Sequence, residues 1–352
     1  MDWSGIISGA SAFLMKRILA IIAAVLVAAN LSARPKAVIF DTDWWTDVDD
    51  ACAIRILHSA HKDGLVDIKG ICLSALDGYS VESLSTFMNY EGMEGITIGA
   101  DKEATDFPGK SCFHEYLAKN GPEATFKSVD EIEDAVEFYR RILSESRGRV
   151  DIIVVGFPNT IARLLESKPD SYSRLDGIEL VRRKAGTLWI MAGKYPDGSE
   201  HNFNLTERSR KAGAKVCEEW PGRIVFLGYE IGIKVQAGGT LPEGDLLRKI
   251  LILHNDFNGR DAWDPMTVYM ACLGSPEKAG FNVIRGRNSV NPEDGSNLFT
   301  EGKGRHSYVT FKASPDVIKS ALDGILTSGS FLLRRHNKSC PEFRHGPGLR
   351  AK

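Results

Sequence analysis

A cluster of carboxylates stands near the start of the chain. Within ten residues it contains five aspartates: Asp41, Asp43, Asp47, Asp49 and Asp50. Carboxylates this close repel one another and raise one another's pKa values. A divalent cation removes that conflict, and oxygen ligands suit calcium or magnesium. The cluster therefore predicts a site for a hard cation.

Other interpretations of the cluster are open. Asp49 could serve only as a helix N-cap, or the loop could be a solvated acidic turn, although the strongly apolar segment before it argues against that. An EF-hand is excluded because the required glycine and the closing glutamate are missing. A haloacid-dehalogenase-like phosphatase also has an Asp-x-Asp after its first strand, the first Asp being the nucleophile and the second the acid. That pattern expects Thr or Val where this chain has Trp45.

The segments around the cluster alternate between strand and helix patterns. The apolar run 36–40 predicts a strand buried on both faces, and 51–57 predicts the helix after it. Further predicted strands are 66–73, 96–99, 151–156, 187–193 and 223–228. Further predicted helices are 80–90, 128–146, one starting at 160, 265–273 and 315–326. This alternation predicts a single α/β domain with a mostly parallel central sheet flanked by helices, a Rossmann-like open sheet with its ligand at the carboxyl ends of the strands.

The bulk composition excludes several classes of protein. The chain has 352 residues, a net charge of −2 and no long basic run, so nothing in it supports a nucleic-acid partner. Six cysteines are too few for a disulfide scaffold in a chain of this length, and they form no CxxC pair that would indicate a zinc site.

The N-terminus has the pattern of a secretory signal peptide. A basic segment, 15–17, precedes the apolar segment 18–29, and small residues follow at Ser32-Ala33. The apolar segment is short for a membrane span. We therefore expect an N-terminal extension and signal peptide over 1–33, a catalytic domain over 34–352, and a secreted or periplasmic protein with no stable membrane span after processing.

The segment Val38-Ile39-Phe40-Asp41-Thr42-Asp43 … Asp49-Asp50-Ala51 resembles the N-terminal signature of the inosine–uridine-type nucleoside hydrolases, a strand followed by DTDPGxDDAxA. Here the loop is two residues longer and resembles the DxDxGxDxDD variant, with Trp45 in place of its glycine, so that the chain has DxDxxxDxDD.

Three later segments match the same family in the expected order. Residues 154–162 resemble the GPLTNxA segment, in which a backbone carbonyl binds calcium. Asn202-Phe203-Asn204 resembles the family's Glu-Phe-Asn, which binds the ribose. The segment 263–268 resembles the one that carries the last calcium-binding aspartate.

The resemblance implies calcium-dependent hydrolysis of the N-glycosidic bond of purine and pyrimidine ribonucleosides to free base and ribose, as in nucleoside salvage. The implied calcium ligands are Asp43, Asp50, the Asn159 carbonyl and Asp264, with Asp43 also the general base. The implied substrate-binding residues are Asp49, Asn202, Asn204 and Trp263. Homodimers or homotetramers are implied as well.

The base side of the site leaves two questions open. Many family members have a histidine where this chain has Trp263, and a tryptophan cannot donate a proton to a departing base. His114 and His201 lie in segments that could approach the pocket, and Trp44 and Trp45 either line it or pack in the core. A non-catalytic, calcium-dependent riboside-binding protein is therefore the second hypothesis.

Overall fold

The computed structural model describes residues 34–331. The predicted extension and signal peptide, 1–33, lie outside the described residues. Among residues 34–331, none of the helices combines the length and the hydrophobicity that crossing a membrane requires.

Thirteen strands lie in the described part of the chain. They are β1 (Lys36–Thr42), β2 (Val66–Leu73), β3 (Ile98–Ala100), β4 (Glu133–Asp134), β5 (Val150–Val154), β6 (Ala185–Met191), β7 (Asp197–Gly198), β8 (Ile224–Leu227), β9 (Gln236–Gly238), β10 (Gly259–Asp261), β11 (Phe281–Val290), β12 (Asn297–Glu301) and β13 (His306–Phe311). Eleven form one sheet in the order β4-β3-β2-β1-β5-β6-β8-β13-β11-β12-β7, and β9 pairs with β10.

Helices connect and cover these strands. They are α1 (Asp49–Lys62), α2 (Ser80–Glu91), α3 (His114–Asn120), α4 (Ala135–Glu145), α5 (Asn159–Glu166), α6 (Gly177–Lys184), α7 (His201–Asn204), α8 (Glu207–Glu219), α9 (Tyr229–Gly232), α10 (Leu246–Leu253), α11 (Trp263–Leu273) and α12 (Pro315–Ser328).

The central strands run parallel, with β1 between β2 and β5. Each face of the sheet carries its own core: Val38 and Phe40 pack on one side with α1 and α11, and Ile39 packs on the other with α4 and α5. This alternation is the period of two expected of a strand that is buried on both faces. The predicted α/β fold with a mostly parallel sheet is confirmed.

The structure differs from the sequence prediction in several places, among them α3, α6 to α10 and the short strands β4, β7, β9 and β10, which were not predicted. The helix predicted over 128–146 begins only at Ala135, because the Asp134 side chain caps it by accepting a hydrogen bond from Val136 N. Residues Val129–Glu131 form a 3₁₀ turn instead. The strands β11, β12 and β13 were not predicted, and β11 pairs antiparallel with both of its neighbours.

Candidate active site

The aspartate loop joins the end of β1 to the start of α1. Thr42, the last residue of β1, donates its hydroxyl to Asp50 Oδ1, and Trp44 N lies 3.4 Å from the same oxygen. Asp49 and Asp50 form the first turn of α1, where the helix dipole favours negative charge. The loop therefore fixes Asp50 at the carboxyl edge of the sheet.

Gly156, just after β5, allows two strand ends to approach closely at this edge. A β-carbon at this position would lie 2.2 Å from Asp43 N and 2.5 Å from Ser74 Oγ. Any larger residue would push the end of β1 away from β5 and displace Asp43.

Asp264 reaches the loop from the first turn of α11. Its backbone N–H donates to Asp49 Oδ2 over 3.0 Å. Asp49, Asp50 and Asp264 are all buried, and each offers a carboxylate oxygen within 4.8 Å of the others. Residues more than two hundred positions apart thus form one acidic centre.

Burial and mutual repulsion disfavour the ionised form of these carboxyl groups in the absence of a cation. Burial, followed by the charge of Asp50, raises the pKa of Asp43 well above its ordinary value. Burial and the neighbouring aspartates likewise raise the pKa values of Asp49 and Asp264, and burial raises that of Asp50 to about 7. Several buried carboxylate oxygens that repel one another fit a hard divalent ion such as calcium.

Asp41 does not belong to this centre, although the sequence places it in the same cluster. It is fully buried on the opposite face of β1, where Tyr139 and Thr160 both donate to its Oδ2 over 2.6 Å. Burial, opposed by these hydrogen bonds, raises its pKa to about 7. The phosphatase alternative needs Asp41 as an accessible nucleophile, so this placement argues against it.

The acidic centre opens into a cavity of about 260 Å³, close to the lower end of the roughly 300–1,000 Å³ of small-molecule sites. Six of the predicted site residues line it: Asp43, Asp49, Asp50, Asn202, Trp263 and Asp264. Asp47, from the predicted aspartate cluster, and His201 line it as well. The sequence did not predict the remaining residues of its wall as part of the site: Thr46, Val155, Met191, Glu200, Tyr229 and Arg260.

Asn202 joins the ends of two central strands beside the cavity. Its Nδ2 donates to Val155 O over 2.9 Å and to Met191 O over 3.0 Å. Both amide hydrogens are thus used, and Oδ1 is left to accept a hydrogen bond from a ligand hydroxyl. Asn202 therefore keeps an acceptor where the resembling family has a glutamate, but without the charge.

Glu200 lies next to Asn202 on the cavity wall. Its Oε2 accepts from Gly193 N and its Oε1 from Asn202 N, each over 2.9 Å. Burial, opposed by these backbone hydrogen bonds, raises its pKa to about 7. The sequence signal that could have identified Glu200 is its position as N-cap of the helix that carries Asn202-Phe203-Asn204.

Two predicted site residues lie outside the cavity lining. Asn159 begins α5 and is buried, and its Nδ2 donates to Ser74 O and Asp101 Oδ2. Asn204 Nδ2 donates to Ser199 Oγ over 2.6 Å. The roles of the Asn159 carbonyl and of Asn204 stay predictions.

The aromatic and histidine candidates divide clearly. Trp44 is fully buried, donates to Ser83 Oγ and stacks on His114, and Trp45 donates to Pro108 O. Both tryptophans of the loop are therefore core residues that anchor it, and neither lines the cavity. His114 is buried as well and pairs with Asp77, whereas His201 lines the cavity.

Solved structures share this fold. They include a plant nucleoside hydrolase (16% identity, 84% of this chain and 99% of that chain, TM-score 0.63). A second is the inosine-uridine preferring nucleoside hydrolase of Bacillus anthracis (14% identity, 82% of this chain and 99% of that chain, TM-score 0.59). A third is a type III effector protein complexed with adenosine diphosphate ribose (14% identity, 87% of this chain and 98% of that chain, TM-score 0.58). No model of a protein family and no curated protein sequence matches the chain. The chain therefore has the fold of nucleoside hydrolases.

Proposed function

We propose that this protein hydrolyses the N-glycosidic bond of ribonucleosides, releasing free base and ribose, and that it requires calcium. The observation that supports this most is the convergence of Asp43, Asp49, Asp50 and Asp264 in one cavity at the carboxyl edge of the sheet. The fold shared with nucleoside hydrolases supports the same reaction class.

The proposed calcium ligands are Asp43, Asp50 and Asp264, with the Asn159 carbonyl from the start of α5. Asp49 accepts the Asp264 N–H with Oδ2, which leaves Oδ1 for a ribose hydroxyl. A calcium ion held by these residues would offset the charge of the carboxylates and make the attacking water more acidic.

Asp43 acts in this proposal as the general base. It takes a proton from the attacking water as the water oxygen bonds to the anomeric carbon, C1′. The sugar passes through an oxocarbenium-like transition state, and the surrounding carboxylates stabilise its developing positive charge.

The ribose is held in this proposal by Asp49, Asn202 and Asn204, and the base lies against Trp263. Asn202 Oδ1 accepts a ribose hydroxyl, and Glu200 beside it offers a second acceptor on the same wall. Solved neighbours include enzymes described as inosine-uridine preferring and inosine-guanosine hydrolases, so inosine and uridine are the first substrates to test.

Secretion to the periplasm or the exterior, through the signal peptide at 15–33, is part of the proposal, as is assembly into a homodimer or homotetramer. A secreted nucleoside hydrolase would supply free bases for salvage.

A second candidate function is calcium-dependent riboside binding without turnover. Trp263 favours it, because this residue cannot protonate a departing base, and so does the effector structure of the same fold that contains adenosine diphosphate ribose. A panel of ribosides tested with calcium, by calorimetry and by release of reducing sugar, separates the two. Turnover supports the hydrolase, and saturable binding without turnover across the panel supports the binding protein.

A further inference from the structure

Arg260 is a charged residue of the cavity wall that the proposed reaction has not yet used. It lies in β10, three residues before Trp263. Its Nε and Nη2 donate to the two carboxylate oxygens of Asp47 over 2.8 and 2.6 Å. Among residues 34–331 its Nη1 has no hydrogen-bond partner. The edge of the guanidinium formed by Nε and Nη2 is thus paired with Asp47, and Nη1 remains able to donate to a ligand.

Trp263 forms a fixed platform next to this guanidinium. Its indole Nε1 donates to Tyr229 O over 2.9 Å, and its ring stacks on the Tyr229 ring with the centroids 5.6 Å apart. A β-carbon at Gly232 would lie 1.8 Å from the Trp263 ring, so only glycine fits there. The guanidinium carbon of Arg260 lies 5.3 Å from the Trp263 ring centroid, within range of a cation–π contact.

Asp47 connects two departures from the sequence pattern of the resembling family. It belongs to the loop that is two residues longer than the short signature, and through Arg260 it reaches the ring of Trp263, the residue in place of the common histidine. The longer loop therefore holds a permanent cation beside Trp263, the residue at which the resemblance implies a histidine in many family members.

We propose that Arg260 is a catalytic residue that stabilises the departing base, and that Asp47 is the positioning residue that holds it. This inference rests on the proposed hydrolysis of ribosides. Arginine suits the role because its planar guanidinium stays charged and can donate from Nη1 while its other edge remains paired with Asp47.

The step balances without a proton donor on the base side. The bond between C1′ and the base nitrogen breaks, and its electron pair stays on the base. The water oxygen bonds to C1′, and its proton goes to Asp43. The anionic base is stabilised by the Arg260 cation and takes a proton from solvent after release.

His201 is the competing candidate, because it lines the same cavity and an imidazole can donate a proton. Two substrates with different leaving groups, tested on variants of each residue, show which of the two assists the departing base. Inosine needs stabilisation of its departing base, whereas para-nitrophenyl riboside has a leaving group that departs without help.

The experiment measures kcat and KM separately for the full chain with saturating calcium on both substrates, for wild type, R260Q, D47N, H201Q and the control R285Q. Arg285 is exposed on β11, away from the cavity lining. For R260Q we expect about a 100-fold loss on inosine and at most about a 3-fold loss on para-nitrophenyl riboside, the scale seen when one electrostatic donor is removed. D47N shows a smaller loss with the same selectivity, in kcat rather than in KM, and R285Q matches wild type.

Retained turnover of para-nitrophenyl riboside shows at the same time that R260Q is folded. Equal loss on both substrates, no loss on either, or a selective loss in H201Q instead of R260Q would overturn the role of Arg260. A wild-type protein that hydrolyses neither these two substrates nor any other riboside of the panel would overturn the proposed function, and this inference with it.

Discussion

The hydroxyl of Tyr139 donates to Asp41 Oδ2 over 2.6 Å. This contact joins α4 to the central strand β1 and takes the first aspartate of the acidic motif into the core. Asp41 and Asp43 are only two residues apart. Asp41 therefore anchors the loop in the core next to Asp43, the residue proposed to act on the substrate.

The first prediction concerns this supporting contact. Y139F removes a hydrogen bond from a buried carboxyl group, and we expect the free energy of unfolding to fall by about 1–3 kcal/mol. The proposed riboside hydrolysis should change little, since neither residue lines the cavity. Urea unfolding followed by circular dichroism measures the change. Wild-type stability for Y139F, or a loss of turnover as large as that of D43N, would contradict the assigned role of Asp41.

The second prediction concerns the cation. Calcium at about 100 times its dissociation constant should stabilise the folded state by about 2.7 kcal/mol, because the proposed site is assembled only in the folded state. A thermal scan should show a higher Tm with calcium than with a chelator. D264N should lose most of this increase, whereas D67N, at an exposed ion pair with Lys69, should keep it. An identical Tm with calcium and with chelator would argue against the cation site.

The third prediction concerns the pH dependence of stability. Burial raises the pKa of Glu200 from 4.5 to about 7, so between these pH values the folded state holds a proton that the unfolded chain has lost. The contribution of Glu200 to the free energy of unfolding therefore falls as pH rises through this window, by roughly 3 kcal/mol in all. Above about pH 7 it stays constant.

E200Q tests this sign, because glutamine does not titrate. The difference in unfolding free energy between wild type and E200Q, measured with saturating calcium, should shift against wild type from pH 4.5 to pH 8. A difference that stays constant over this range would show that Glu200 does not retain its proton in the folded protein.

Much of the site could be predicted because it is encoded locally. The apolar run before Asp43 indicates a buried strand, and acidic residues at the start of α1 indicate a helix N-terminus, so the edge of the sheet follows from adjacent residues. The position of Asp41 was also available from the sequence, since strand alternation places it on the same face as Ile39. Grouping all five carboxylates into one cation site overlooked that alternation.

The rest depends on long-range contacts that no local pattern encodes. Arg260 meets Asp47 only because β10 and the loop after β1 approach the same cavity. Trp44 adopts a positive φ of 40° in the core, a conformation that its residue type does not suggest. The antiparallel pairing of β11 with β13 likewise depends on residues distant in the chain.

The most direct test of the central claim is the release of free base from inosine, followed by chromatography with calcium present, for wild type and D43N. Removing the proposed general base should lower kcat by about 100-fold or more, while calorimetry still detects inosine binding. Turnover by wild type that is lost in D43N and abolished by a chelator is the predicted result. No base release by wild type from inosine, uridine or any other riboside would contradict the account, as would equal turnover by D43N.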